Sequence, residues 1–178
     1  ILQHEQHQMG SGSCQVFGLL FDGAWLWEEY INILIGKHFY HPMNKRGIGA
    51  QWLFAQRKGL IYPDFISENT AQRVIADAKY KPMHNIGNTD YLQMLAYMFR
   101  FDAKKGIFFY PEIGEDRILQ LKLNKGLTYE NNVEPREDIC VVKHGLQIPQ
   151  NANCYESFAA EMKKQEQVFI EALQLIKA

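Results

Sequence analysis

The chain has 178 residues, one ordinary domain's worth and enough to bury a continuous core. With 47% hydrophobic and 22% charged residues it has the composition of a folded globular protein, and no apolar run approaches the roughly 18 residues that a bilayer-spanning helix needs. A formal charge of -1 excludes binding to polyanions by overall charge, so any contact with nucleic acid has to be a local basic groove.

Residues 1–13 read as a polar, Gln- and His-rich flexible leader with a Gly-Ser stretch at its end, and residues 14–178 as a single domain. The leader lacks a signal-peptide pattern and the chain has no Met at position 1, so a portion of a longer cytoplasmic protein is expected. Cys14, Cys140 and Cys154 are odd in number and widely spaced, which predicts buried thiols rather than a zinc site, and the His4 and His7 pair reads as tail.

Trp27, Tyr30, Ile31 and Leu34 recur at helical spacing, so residues 24–35 predict an amphipathic helix ended by Gly36, followed by a loop containing Lys45 and Arg46. Residues 51–56 and 60–66 read as antiparallel strands around the Arg57-Lys58-Gly59 turn, and residues 73–81 as a third strand of the same meander. Trp52 and Phe54 alternate as a core face should, which predicts core packing over the nucleic-acid contact that aromatics between Lys45, Arg46, Arg57 and Lys58 also allow. Asn88 or Thr89 caps a helix running to about Ala103, with Asp90 in its first turn. Residues 107–110 predict a buried strand closed by Pro111, residues 118–123 and 139–142 weaker strands, and Phe158, Met162, Phe169, Leu173 and Ile176 a C-terminal helix. The order gives an α/β fold, a mixed β-sheet flanked by helices.

Asp64 falls near the end of the second strand, while Asp77 and Lys79, two apart on the third, share a face. If the strands pair, two carboxylates converge, and such a pair needs a cation or a proton. Magnesium is the natural occupant, since it prefers oxygen ligands and keeps waters while one or two carboxylates hold it. With Asp64 and Asp77 as ligands, the Ala78 backbone carbonyl as a further oxygen and Glu28 completing the set from the first helix, the site suits phosphodiester hydrolysis. Lys79, its pKa lowered by the cation, is expected to orient the attacking water or neutralise a non-bridging oxygen.

Pro63-Asp64 followed by Asp77-Ala78-Lys79 resembles the signature of the PD-(D/E)XK nuclease superfamily, and the element order is similar to its restriction-endonuclease-like core. Leu26-Trp27-Glu28-Glu29-Tyr30-Ile31 resembles the McrC segment whose acidic residue joins the metal site, favouring Glu28 over Glu29. Gln93-Met94-Leu95-Ala96-Tyr97 matches the Gln-x-x-x-Tyr helix of RecB-type and McrC-like proteins. The resemblance, over about residues 17–112, implies a Mg2+-dependent DNA endonuclease, with Mn2+ as a substitute, that serves as the McrC-like nuclease subunit of a restriction system. It also implies an McrB-like AAA+ GTPase partner and DNA as substrate, with a homodimer as one way to make two cuts. McrC-like proteins usually carry a sizeable region before the nuclease, and here that region is nearly lacking.

Simpler readings stand beside these. Asp77 and Lys79 would be an ordinary strand ion pair, were Asp77 not preceded by the apolar Val74-Ile75-Ala76 run, where a lone charge is costly. Gln93 and Tyr97 either contact a substrate phosphate, hold Lys79, or form a plain i,i+4 pair; Lys81 either extends a basic groove edge or is a solvated strand end. The functional alternatives are a RecB-like exonuclease or end-processing nuclease, and a non-catalytic DNA-binding or assembly module.

Overall fold

The computed structural model describes residues 3–5, 18–20, 22–42, 48–114, 118–126 and 133–177. His7, the Gly-Ser stretch, Cys14, Lys45 and Arg46 lie outside the described residues. Near the N-terminus β1 (Gln3–Glu5) and β2 (Gly18–Leu20) pair antiparallel as a sheet of their own.

Helix α1 (Gly23–Ile35) starts where Asp22 accepts the Trp25 N–H at 3.0 Å, and it buries Trp27, Ile31 and Ile35, one residue per turn on one face. Then come the two-residue β3 (Phe39–Tyr40), the hairpin strands β4 (Gln51–Phe54) and β5 (Lys58–Ile61), β6 (Phe65–Ser67) and β7 (Val74–Ala78). After one 3-10 turn at Met83–Asn85, α2 (Asn88–Arg100) leads into β8 (Lys105–Glu112), β9 (Ile118–Lys125), β10 (Glu134–Gln147) and α3 (Tyr155–Lys177).

Six strands form the central mixed sheet in the order β3-β6-β7-β8-β10-β9, with β8 parallel to both β7 and β10 and the other pairs antiparallel. The period of two along each strand divides the core. Phe65, Val74, Ala76, Ile107 and Phe109 face α1 and α3, whereas Ile66, Ile75, Phe108 and Tyr110 face α2. The α/β expectation holds, and the arrangement is compatible with a restriction-endonuclease-like core. No helix among the described residues is long and apolar enough to cross a membrane.

Five local expectations change. The three-strand meander is not one sheet: β4 and β5 pair only with each other, and the run read as one strand over residues 60–66 breaks at Pro63, after which β6 joins β7 in the central sheet. Trp52 and Phe54 are 42% and 57% exposed; Leu53 and Ile61 supply the hairpin's inner face instead. The α2 cap is Gly87, whose N–H donates to Asp90 Oδ2 at 2.9 Å, and the helix stops at Arg100, where Asp102 (φ 52°) turns the chain. Pro111 lies inside β8. Phe109 presents its carbonyl to Lys79 N–H, and Pro111, two residues on, turns its nitrogen to that same edge, past the last β7 residue, so no ladder bond is lost. Finally, Cys140 is half-buried and Cys154 exposed, so the expectation of buried thiols fails for Cys154, which lies in the turn leading into α3.

Candidate active site

The β6–β7 register pairs Phe65 with Ala76, and one step further Asp64 comes opposite Asp77. Asp64 Oδ2 accepts the Ala78 N–H at 2.9 Å, which fixes its carboxyl against the end of β7. An extended residue turns its N–H and C=O to the same edge, so the Ala78 carbonyl also faces the Asp64 side. Asp77, 3% exposed, lies on the α2 face with Ile75. Burial first, then the charges of Asp77 and Glu28, push Asp64 well above the usual carboxylate range, against the opposing Ala78 N–H and Lys79. Burial also raises Asp77, although Lys79 opposes it.

Lys79 Nζ stands 2.6 Å from Asp77 Oδ2 and 3.7 Å from Asp90 Oδ1. It donates to Gln93 Oε1 at 3.1 Å, while Gln93 Nε2 donates to Tyr97 Oη at 2.6 Å and the Tyr97 hydroxyl donates to the Tyr62 carbonyl at 3.2 Å. A single file of bonds thus runs from the ammonium through α2 to the residue before Pro63-Asp64. Burial works to lower the Lys79 pKa, but Asp77, Asp64 and Asp90 outweigh it, so in the protein alone the ammonium is held above its ordinary value rather than below it. Burial, with the Asp77 charge beside it, raises Tyr97 and keeps its phenol protonated as a donor.

Lys81 Nζ is bound to Asp90 Oδ2 at 2.6 Å. Burial works to raise Asp90, but the Lys81 and Gly87 hydrogen bonds prevail and lower it. Asp90, read from the sequence only as a helix-start acid, therefore holds both lysines. Glu28 approaches from α1, which Trp27 ties to the same rim by donating its indole N–H to the Phe109 carbonyl at 3.1 Å; that carbonyl also accepts the Lys79 N–H at 2.8 Å.

His41 is a participant that pattern reading missed. Its Nδ1 lies 2.8 Å from the Asp64 carbonyl, which can only accept, so Nδ1 carries the proton; Nε2 lies 3.7 Å from Glu28 and 3.6 Å from Glu29, and the ring stacks on Phe65. A His-Pro loop two dozen residues from the motif gives no sequence signal for such a contact.

Among the described residues no three His, Cys, Asp or Glu side chains gather closely enough to hold a metal ion, so Glu28 does not join Asp64 and Asp77 in one tight set. Asp64 and Asp77, opposite each other across the β6–β7 pair, are the two residues that could hold a divalent cation. Asp77 is buried with the Lys79 ammonium 2.6 Å from its Oδ2, while burial, then the charges of Asp77 and Glu28, press Asp64 toward protonation, a repulsion that a divalent cation between the two carboxyls would relieve. A separate open cleft of about 670 Å3 beyond β8 and β10, lined by Gln147, Gln150 and Gln165 among others, contains none of the predicted site residues.

Residues 1–111 match the family model of the McrBC 5-methylcytosine restriction system component. The chain belongs to that family. No curated protein and no solved structure matches it. The McrBC match spans α1, the hairpin, β6, β7 and α2, and ends in β8, so every residue described at this rim lies within it.

Proposed function

We propose that this McrBC component is a Mg2+-dependent DNA endonuclease of the PD-(D/E)XK type, with Asp64, Asp77 and Lys79 at its centre. The observation that carries the reading is the meeting of those three side chains at the ends of β6 and β7, with Lys79 2.6 Å from Asp77. Magnesium, held by Asp64, Asp77 and the Ala78 carbonyl with Mn2+ as a substitute, would supply charge compensation and an acidified water at the scissile phosphate. Lys79, steered by Gln93, holds a non-bridging oxygen or the water in line, and Tyr97 keeps Gln93 turned that way. Glu28 adds negative charge to the cation's outer surroundings, while Lys81 offsets Asp90 and leaves Lys79 to the centre. DNA is the substrate. An McrB-like GTPase, and a second copy for the second cut, would bring the site to it.

The experiment is incubation of closed circular and linear DNA with the protein and Mg2+ or Mn2+. Nicking or cutting of circles by the parent and none by Asp77→Ala is expected. Degradation of linear DNA alone would replace the reading by the exonuclease one, and an Asp77→Ala variant as active as the parent would remove the centre altogether.

A further inference from the structure

The β4–β5 hairpin presents its aromatic face outward. In its register Trp52 is opposite Leu60 and Phe54 opposite Lys58, and the same parity continues to Tyr62, so these side chains share one face, with Trp52, Phe54, Leu60 and Tyr62 each at least 39% exposed. The opposite face already has its partners, since Leu53 and Ile61 pack into the α2-side core. Large apolar groups gathered on one exposed face, with the other face already packed, mark a surface for interaction.

Charge identifies the occupant. Residues 48–63 contain no Asp or Glu, while Arg57 and Lys58 stand exposed at the tip, and Arg100 reaches from α2 to donate to the Trp52 carbonyl at 2.7 Å. Arg57 holds φ 55°, a left-handed conformation that glycine would adopt without strain, so the tip keeps a cation at a conformational cost. In a chain of net charge -1 this is the local basic surface that a polyanion requires.

We propose that this outer face is a platform for an unpaired DNA strand, its bases stacking on Trp52 and Phe54 and its phosphates meeting Arg57 and Lys58. Two residues along a strand separate the two rings by about 7 Å, room for adjacent bases to seat on separate rings. The choice of DNA rests on the nuclease reading. The platform joins the candidate centre directly, because the chain leaving β5 passes through Tyr62, whose carbonyl is held by Tyr97, into Pro63 and Asp64.

The test measures binding without divalent metal, so it does not depend on cleavage. A labelled 20-nucleotide single strand and its duplex are titrated against the parent, Trp52→Ala/Phe54→Ala and Trp52→Phe by fluorescence anisotropy. Stacking predicts that the double variant loses at least tenfold affinity for the single strand, keeps duplex affinity within twofold, and melts as the parent does, while Trp52→Phe retains binding. Arg57→Ala/Lys58→Ala should flatten the log–log salt slope for the single strand by about 1.4, from roughly 0.7 per phosphate contact. Undiminished single-strand binding by the aromatic double variant, equal losses for duplex and single strand, or a parent that binds no single strand would each overturn the platform. So would intact DNA binding with loss of self-association in sedimentation, which would assign the face to a second copy. A parent that binds as expected yet cleaves nothing would overturn the nuclease reading alone.

Discussion

The file of bonds from Lys79 to Tyr62 makes Tyr97→Phe a sharp test, because it removes one oxygen and nothing else. That oxygen accepts from Gln93 at 2.6 Å and donates to Tyr62 at 3.2 Å. At a net worth of about 1 kcal/mol per hydrogen bond, and with exposed Gln93 free to recover water for its amide, the loss in stability should be about 1 kcal/mol. For a chain of this length that is a fall in Tm of roughly 2–4 °C. The kinetic effect should be larger in proportion. Gln93 without its anchor can rotate, Lys79 loses its neutral partner, and a loss of about 1.4 kcal/mol of transition-state stabilisation means a tenfold fall in kcat with KM for DNA little changed. Since Gln93 and Tyr97 act in series, Gln93→Leu/Tyr97→Phe should cost little more than Gln93→Leu alone. Plasmid-cleavage kinetics and thermal melts of the four proteins give the cycle. Strict additivity, or a Tyr97→Phe variant with the parent's kcat, would refute the serial arrangement.

Three further outcomes follow from the buried groups. Asp64 is raised in the folded protein, so the native state binds the extra proton and stability falls as pH rises from the ordinary carboxylate range through the raised one; in metal-free buffer Asp64→Asn should melt higher than the parent at pH 8, and Mg2+ should stabilise only the parent. His144 has the opposite sign: burial lowers it from 6.5 to about 4, so stability present above pH 6.5 is lost as pH falls toward 4. That loss is about 3 kcal/mol at 1.36 kcal/mol per unit, and urea unfolding of His144→Gln should show a flatter profile over this range. Gly106→Ala would place a methyl 2.7 Å from the Met94 side chain and 2.8 Å from Met98 Sδ, so a destabilisation of about 1–3 kcal/mol and lower cleavage are expected as α2, which carries Gln93, is pushed off β8.

Much of the molecule was legible where local chemistry decides. Trp27, Tyr30, Ile31 and Leu34 announced α1 by their spacing, the Val74-Ile75-Ala76 run lies in a strand as read, and Lys79 does meet Asp77. What escaped depends on partners distant in sequence. Residues 60–66 look like one strand because each is apolar or aromatic apart from Pro63 and Asp64, and that the break at Pro63 sends its two halves to different partners, β5 to β4 and β6 to β7, is not written in the local pattern. Trp52 and Phe54 alternate correctly for a strand, but alternation does not say which of two faces meets the core; Leu53 and Ile61 took that place. His41 reached Asp64 only because the two-residue β3 runs beside β6.

The two aspartates of the candidate centre sit in settings that should open at different rates. Asp77 sits in a strand with neighbours on both sides, behind Ile75 and Ala76 at 0% exposure, so its amide should exchange with solvent only through near-global unfolding. Asp64 precedes a three-residue strand and follows a hairpin that forms no part of the central sheet, so brief local opening can withdraw it while Asp77 stays in place. Faster amide exchange around Asp64 than around Asp77 is therefore expected, with the Ala78 N–H bond to Asp64 Oδ2 as the tie that has to break first.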